Sequence, residues 1–475
     1  MNAKPAIIFG EDFGFARVKG DVSQAATYFR RHLSASEKQI AITLTNPYWH
    51  WVATLALLRL GLACASVAQA RTLSGTISRH FDLWIGDENP AGSKVLPFSS
   101  DDITPPDTLT QPGQEAEEGQ PLVLFGEGAR RLILTSGTTG TPKIISLTAA
   151  QIEDRARDLI SNLGLDASTR FLSLMGSDTI GGFAFSVATW LSGGSVMFGV
   201  PVPGTSDSYR LPYKQCNLLL SSPDRLKSLL NQDPSIWDGR EQRRIIVGGS
   251  RLSPSLRNEA LRRACVQLDV MYGSTEAGSV AYGNAMLLDR HPGAVGYVAD
   301  NVQLQLVDAQ GQPVQNGLPG AVRCKTSSMP AAYEYLEHDD AFRDGWFYPG
   351  DEAIRYDDGL LAITGRVTDI LNLGGTKISA VDLETQIQQL EGVQDVCAVV
   401  VGNPDDQLAI VVVCDNDTDM QALRSRINDV MISRVPYHLV GVGSLSRNAM
   451  GKLPRNLIVQ NLQKMLGKAS QRNST

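Results

Sequence analysis

Cysteine is scarce in this chain, and no two cysteines are closely spaced. The six are Cys64, Cys216, Cys265, Cys324, Cys397 and Cys414; none forms a Cys-x-x-Cys pair, and most have apolar neighbours, as in Val396-Cys397-Ala398. That pattern argues against a disulfide scaffold or a zinc ribbon and fits buried thiols in a reducing compartment. Long hydrophobic runs are also missing. The longest, from Val52 to Val67, contains Arg59 and is too short for a membrane span. Near the start, Ala6-Ile7-Ile8-Phe9 gives way to Gly10-Glu11-Asp12, too soon for a signal-peptide core. A cytoplasmic location is therefore expected. Neither sign of charge dominates: 43 Lys+Arg stand against 50 Asp+Glu, a net of -7. Such a balance leaves no electrostatic footprint for nucleic acid or an anionic membrane. With 43% apolar and 20% charged residues, the chain is globular rather than disordered.

Glycine is in excess: 44 in 475 residues, against a usual share of about 7%. The length suggests about three domains. Hydrophobic spacing predicts a helix over 21–33, a buried strand over 39–44 and a helix over 48–60 opened by Asn46-Pro47 and stopped by Gly61. Strand, helix, Gly and strand in succession are the grammar of a parallel α/β fold. Residues 86–128, rich in Pro, Gly, Ser and acids, read as surface connections. Alternation resumes with a strand at 131–134, a helix at 149–163 and buried strands at 217–220 and 244–247. Residues 302–365 carry period-2 segments (303–307 and 360–363), the sign of antiparallel β structure. After about 369 comes an α+β tail: a helix over 380–390, strands at 395–402 and 408–414, a helix over 418–432 and a last helix from about 454. No internal repeat is evident.

The most informative segment is Leu134-Thr135-Ser136-Gly137-Thr138-Thr139-Gly140-Thr141-Pro142-Lys143. A buried strand ends in a run of Gly, Ser and Thr, followed by Lys. Small residues let backbone N–H groups close around phosphate oxygens, hydroxyls add donors, and Lys adds a point charge. The Walker A pattern does not occur, so this is a different phosphate loop.

The segment resembles the signature loop of the adenylate-forming ligases, which include acyl- and aryl-CoA synthetases, luciferase and peptide-synthetase adenylation domains. Five further segments match in order. Gly248-Gly249-Ser250 is similar to the adenine-binding strand end, and Tyr272-Gly273-Ser274-Thr275-Glu276 to the Tyr-Gly-x-Thr-Glu motif. Gly345-Trp346-Phe347-Tyr348-Pro349-Gly350-Asp351 resembles Gly-Trp-x-x-Thr-Gly-Asp. Gly365-Arg366-Val367-Thr368-Asp369, with Gly375-Thr376-Lys377-Ile378 and Glu384, resembles the interdomain hinge. Arg447 to Arg455 resembles the C-terminal Lys motif. The resemblance implies an N-terminal body of two α/β lobes and a β subdomain over 1–365, a hinge at 366–369 and a small α+β lid over 370–475.

It also implies roles. In the first half-reaction a carboxylate attacks the α-phosphate of ATP, so two anions must be held in line and neutralised. The loop from Thr135 to Lys143 would hold the departing phosphates. Thr275 would bond the α-phosphate, Glu276 would ligate Mg²⁺, and Lys452 would bring a charge to the transition state. Tyr272 and the backbone of Gly248, Gly249 and Ser250 would sandwich the adenine, with Gly273 and Ser274 beside it. Asp351 would accept from the ribose hydroxyls, and Arg366 would contact ribose or phosphate. Thr368 and Asp369 would form the pivot. Gly374, Gly375 and Lys377 would flank the channel for CoA or phosphopantetheine in the second, thiol-dependent step. Taken alone, Thr275-Glu276 reads as a helix start, Pro349-Gly350-Asp351 as a simple turn and Lys452 as a solvated loop lysine.

Five positions depart from the family pattern. Ile144 stands where Gly is usual, Ala149 for a frequent His, Pro349 for Thr, Thr368 for a hinge Asp or Lys, and Ser446 for Pro. By the resemblance, the acid pocket would fall at Asp178, Thr179, Gly181 and Gly182. Asp178 either faces the pocket, where it could pair with a substrate amine, or caps the helix carrying Phe183, Phe185 and Trp190; caps are the commoner use of Asp at such a place. The leading expectation is an acid–CoA ligase acting through an acyl adenylate. Alternatives are an enzyme that loads a separate carrier protein, an amide ligase, and a non-catalytic nucleotide-binding relative.

Overall fold

The computed structural model describes residues 5–67, 75–102, 122–135, 143–201, 209–232, 237, 239–335, 341–366, 370–373, 376–402, 406–415, 417–431, 435–446, 453, 455 and 457–463. It shows a mixed α/β protein. A six-stranded sheet has the order Val95–Leu96, Leu83–Gly86, Gln39–Thr43, Ala63–Ser66, Arg130–Thr135, Lys143–Thr148, parallel except for its final pair. A larger sheet begins with the antiparallel edge pair Glu11–Gly14 and Pro5–Phe9. It continues in parallel through Ser195–Met197, Arg170–Ser173, Leu218–Ser221, Arg244–Gly248 and Gln267–Ser274. At Gln267–Ser274 the direction reverses. Gly278–Asn284, Ala294–Val298, Leu361–Arg366, Asp351–Arg355 and Pro319–Lys325 all pair antiparallel. This sheet is thus where parallel α/β structure hands over to a β subdomain.

Alternating side chains explain the layers. Leu218, Leu220 and Ile246 of the large sheet face a shared core with Ile40, Ile42 and Ile145 of the smaller one, and the helices Phe15–His32, Pro47–Arg59, Ala149–Leu163 and Ile180–Leu191 contribute to it. The intervening Leu219, Ile245 and Val247 face the other way, onto Pro223–Leu230 and Pro254–Arg263. Asn46 caps Pro47–Arg59 by accepting from the Tyr48 and Trp49 N–H groups. Ten of this helix's thirteen residues are buried, which is why its sequence is apolar all round. Ile144, where the resembling family carries Gly, packs with Trp84 and Leu132 on the outer face of the small sheet.

The last part of the chain has its own core. Val393–Gly402 and Asp406–Cys414 pair antiparallel, and Tyr437–Gly441 joins in parallel. Leu383 and Ile387 of one helix and Leu423 and Ile427 of another cover one face of this sheet, and Leu462 covers the other. Several predicted boundaries need correction. The first helix begins at Phe15, six residues before the expected start; Val18 of its first turn is buried and Phe15 packs on the core. The helix expected over 380–390 ends at Ile387. Within the stretch expected to be surface connections, Leu122 and Val123 are buried. The cysteines match expectation: five are buried, Cys414 is half-buried, and all are free thiols. Among the described residues no helix is long and apolar enough to cross a membrane.

Trp51 ties the layers together. Its ring stacks on Phe183 at 5.7 Å and meets Trp190 edge-on at 4.9 Å, linking Pro47–Arg59 to Ile180–Leu191. Replacing Trp51 with Ala should cost about 3–5 kcal/mol of stability in denaturant unfolding, from lost burial plus the cavity left behind. A loss below about 1 kcal/mol would show that these helices are held elsewhere.

Candidate active site

In open α/β sheets ligands gather at the carboxyl ends of parallel strands, where chain direction switches. Here that edge holds Ser173, Ser221 and Gly248, beside the strand that ends at Ser274. One cleft at this edge is lined by Thr135, Lys143, Gly248, Gly249, Ser250, Tyr272, Gly273, Ser274, Thr275, Glu276, Asp351 and Arg366. Asp178, Thr179 and Gly181 line it too, as do Glu384, Leu453 and Arg455. The structure therefore gathers candidates spread over more than three hundred residues of sequence.

Thr275 and Glu276 sit in a turn between the antiparallel strands Gln267–Ser274 and Gly278–Asn284, not at a helix start. The turn is tight. A Cβ at Gly273 would lie 2.2 Å from the Gly278 oxygen, and Gly278 has φ +75°. The Ser274 hydroxyl accepts from the Ala277 N–H at 3.1 Å, so it braces the turn. Beneath it lies Arg155, 4% exposed. Its Nη1 donates to the Thr275 carbonyl at 2.8 Å, and its Nη2 to the Glu276 carbonyl at 2.6 Å and the Ser328 carbonyl at 3.1 Å. Burial pulls Arg155 down to about 10, opposed by the charges of Glu276 and Asp158, so it stays protonated at neutral pH. Glu276 is 8% exposed and its Oε1 accepts from the Tyr333 hydroxyl at 2.7 Å. Lys143 Nζ lies 4.4 Å from the centre of the same Tyr333 ring. Tyr333 thus places a cation and a carboxylate on one wall.

Across the cleft, Asp351 begins a strand whose register sets Arg366 directly opposite. Arg366 Nε is 3.2 Å from Asp351 Oδ1, and the Tyr272 hydroxyl donates to Oδ2 at 2.7 Å. Burial first, then the Asp351 charge, push the Tyr272 phenol well above its ordinary range, so it remains a donor. A carboxylate has about four acceptor sites, which leaves Asp351 able to receive further hydroxyls. Gly248 passes close to Met271, where a Cβ would be 3.1 Å from the backbone oxygen, and Gly249, at φ +88°, faces open space.

The helix Ile180–Leu191 is capped by Thr179, not Asp178. The Thr179 hydroxyl accepts from the Gly182 N–H at 3.0 Å and donates to the Gly176 carbonyl at 2.8 Å. Thr wins the cap because the helix starts one residue later than the Asp cap requires. Gly182 packs against the loop before the helix, where a Cβ would be 2.2 Å from the Gly176 oxygen; Gly181 lines the cleft. Ser136, Gly137, Thr138, Thr139, Gly140, Thr368, Asp369, Gly374, Gly375 and Lys452 lie outside the described residues, as does the Lys377 side chain.

Arg155, Tyr333 and Arg131 were not singled out by sequence patterns. Arg155 had a signal, a charge on the buried helix stripe of Ile152, Ala156 and Leu159. Arg131 had a similar one, a charge inside an otherwise apolar strand. Tyr333 had none. Mg²⁺ at nucleotide sites needs only one or two carboxylates beside substrate phosphates. Among the described residues no three His, Cys, Asp or Glu side chains converge to hold a metal, and the single carboxylate of Glu276 suits that sparse coordination.

The family model described as AMP-binding enzyme matches residues 91–333, more than half of the chain. A salicylyl-CoA synthase / salicylate adenylyltransferase of a Streptomyces species is 28% identical over 353 residues, covering 68% of this chain; the match spans 61% of that relative's length. The 2-hydroxy-7-methoxy-5-methyl-1-naphthoate–CoA ligase of Streptomyces carzinostaticus is 26% identical over 474 residues, covering 88% of this chain and 83% of its own. The ATP-bound structure of MatB from Rhodopseudomonas palustris superimposes with a TM-score of 0.80 at 20% identity, covering 97% of this chain and 96% of the other. The chain belongs to the AMP-binding enzyme family, the adenylate-forming ligases.

Proposed function

We propose that this protein activates a carboxylic acid with ATP, forming an acyl adenylate and pyrophosphate, and then transfers the acyl group to the thiol of CoA. One observation carries the reading: the Thr275–Glu276 turn, Lys143, and the Asp351–Arg366 pair share one cleft. That is the arrangement needed to bring two anions together. Adenine would lie between Tyr272 and the Gly248–Gly249 backbone. The ribose hydroxyls would donate to Asp351, whose carboxylate is already aimed by Tyr272 and Arg366. Thr275 would donate to the α-phosphate. Lys143, with the loop that precedes it, would neutralise the departing phosphates. Glu276 would hold Mg²⁺, which supplies charge neutralisation on the phosphates when bound.

In the first step a carboxylate oxygen bonds to the α-phosphorus and the bond to the bridging oxygen breaks. Lys452 is proposed to stabilise the charge that develops there. Its neighbours Leu453 and Arg455 line the cleft, which supports the assignment. In the second step the thiol sulfur bonds to the acyl carbon, AMP leaves, and the thiol proton passes to solvent. The reading assigns 1–365 to the body, 366–369 to a hinge and 370–475 to a mobile lid, with Gly374 and Gly375 beside the pantetheine arm. The acid would sit against Met175, Ile180, Gly181, Ala184 and Met271, an apolar lining that suits an aromatic acid. The two aryl-acid relatives support that choice.

CoA and a phosphopantetheinylated carrier offer the same thiol, so the acceptor is tested directly. Incubation with ATP, Mg²⁺, aromatic acids and either acceptor, followed by mass analysis, should yield acyl-CoA. Thioester on the carrier alone would replace this reading with carrier loading. Lys452→Ala should lower adenylate formation, measured by hydroxylamine trapping, by about a hundredfold or more, with ATP binding retained. Undiminished trapping in that variant would remove Lys452 from the chemistry.

A further inference from the structure

A second buried guanidinium, distinct from Arg155, lies behind the acid pocket. Arg131 is fully buried in the strand Arg130–Thr135, paired in register with Cys64. Its Nη2 donates to the Ser66 hydroxyl at 2.5 Å and to the Ser177 carbonyl at 2.8 Å, and its Nη1 approaches the Cys64 carbonyl at 3.4 Å. Its Cζ lies 4.6 Å from the centre of the Phe183 ring. Nε is buried without a partner. No carboxylate hydrogen-bonds this cation among the described residues. Burying an arginine so deeply is costly, and here most of its bonds run to backbone and hydroxyl groups.

The Ser177 contact has a specific consequence. Ser177 lies in the tight loop between the strand Arg170–Ser173 and the helix Ile180–Leu191, and its neighbours Met175, Gly176, Asp178 and Thr179 line the cleft. The loop has no slack: a Cβ at Gly176 would lie 2.2 Å from Asp178 Oδ1. His50 holds the loop from the same side. Its Nε2 is 2.6 Å from the Ser66 hydroxyl and 3.2 Å from the Ser177 hydroxyl, and its Nδ1 is 3.2 Å from the Leu44 carbonyl. A carbonyl only accepts, so Nδ1 carries the proton and Nε2 accepts. Burial, then the Arg131 charge, pull His50 down to about 4, so the ring is neutral at pH 7. The network therefore contributes one positive charge, that of Arg131, held against Ser66 and the Ser177 carbonyl.

We propose that Arg131 is a positioning residue for acid binding: it fixes the loop 174–179 through Ser177, so that the residues of this loop that line the cleft are held in place for the acid. The inference rests on the acid-activating reading above. Arg131 touches neither ATP nor the reacting carboxylate, so its removal acts on the acid and leaves the nucleotide alone.

The test compares wild type with Arg131→Met, Arg131→Lys and Ser66→Ala, using a panel of benzoic acids. Arg131→Met should raise the KM of the preferred acid about tenfold, the worth of a charge-assisted hydrogen bond. The KM for ATP should stay unchanged. Arg131→Lys should recover part of that loss, since it keeps a charged donor and loses the fork. A general folding defect would move the acid and ATP KM values together, and that result overturns the proposal. If Arg131→Met does not fold, Ser66→Ala decides: a raised acid KM with an unchanged ATP KM supports the inference, and an unchanged acid KM overturns it. Wild type inactive with every acid refutes the functional reading itself; an active wild type with indifferent variants refutes only the role of Arg131.

Discussion

The guanidinium of Arg155 is the constraint around which the Thr275–Glu276 side of the cleft is built. A turn that presents Thr275 and Glu276 side chains to a ligand must point its carbonyls away from the cleft, into protein. Those carbonyls need donors there, because unpaired buried backbone groups cost about as much as lost hydrogen bonds. Arg155 supplies them from a helix on another part of the chain, and one cation serves the carbonyls of Thr275, Glu276 and Ser328. Once the turn is fixed, Glu276 meets Tyr333, and Tyr333 meets Lys143. Residues far apart in sequence become one charged wall.

The opposite wall follows from strand register. Asp351 and Arg366 face each other across two antiparallel strands, so their alignment depends on backbone pairing, with Tyr272 adding the third contact. This part of the cleft is thus organised by a buried cation and a strand register. The loop around Ser177 uses the same device in another place. Arg131 reaches a loop carbonyl from a neighbouring sheet as Arg155 does from a neighbouring helix. Preorganised donors of this kind need no reorganisation when charge develops.

Much of this was legible in the sequence, for reasons that differ by residue. The helix at 149–163 and the strand at 303–307 were read to the residue, because a Thr-x-x-Gln cap and strict alternation are local signals. The motif residues Tyr272, Thr275, Glu276, Asp351 and Arg366 were found because each motif is contiguous, and the structure brings them to one cleft. Asp178 reads as either a cap or a pocket residue because Asp and Thr stand side by side; the helix register gives the cap to Thr179 and leaves Asp178 lining the cleft. Arg155 and Arg131 were missed because their partners are mostly backbone carbonyls, with a distant serine hydroxyl for Arg131, which no residue identity announces. Tyr333 was missed because its two partners lie 57 and 190 positions away.

The most direct measurement is carboxylate-dependent exchange of labelled pyrophosphate into ATP, run across a panel of aromatic, aliphatic and amino acids. Exchange reports the first half-reaction alone, whatever the thiol acceptor. It should appear with at least one acid, strongest among aromatic acids, and vanish when acid is omitted. Folded, ATP-binding protein that exchanges pyrophosphate with no acid would contradict an acid-activating site and leave a nucleotide-binding protein without this chemistry.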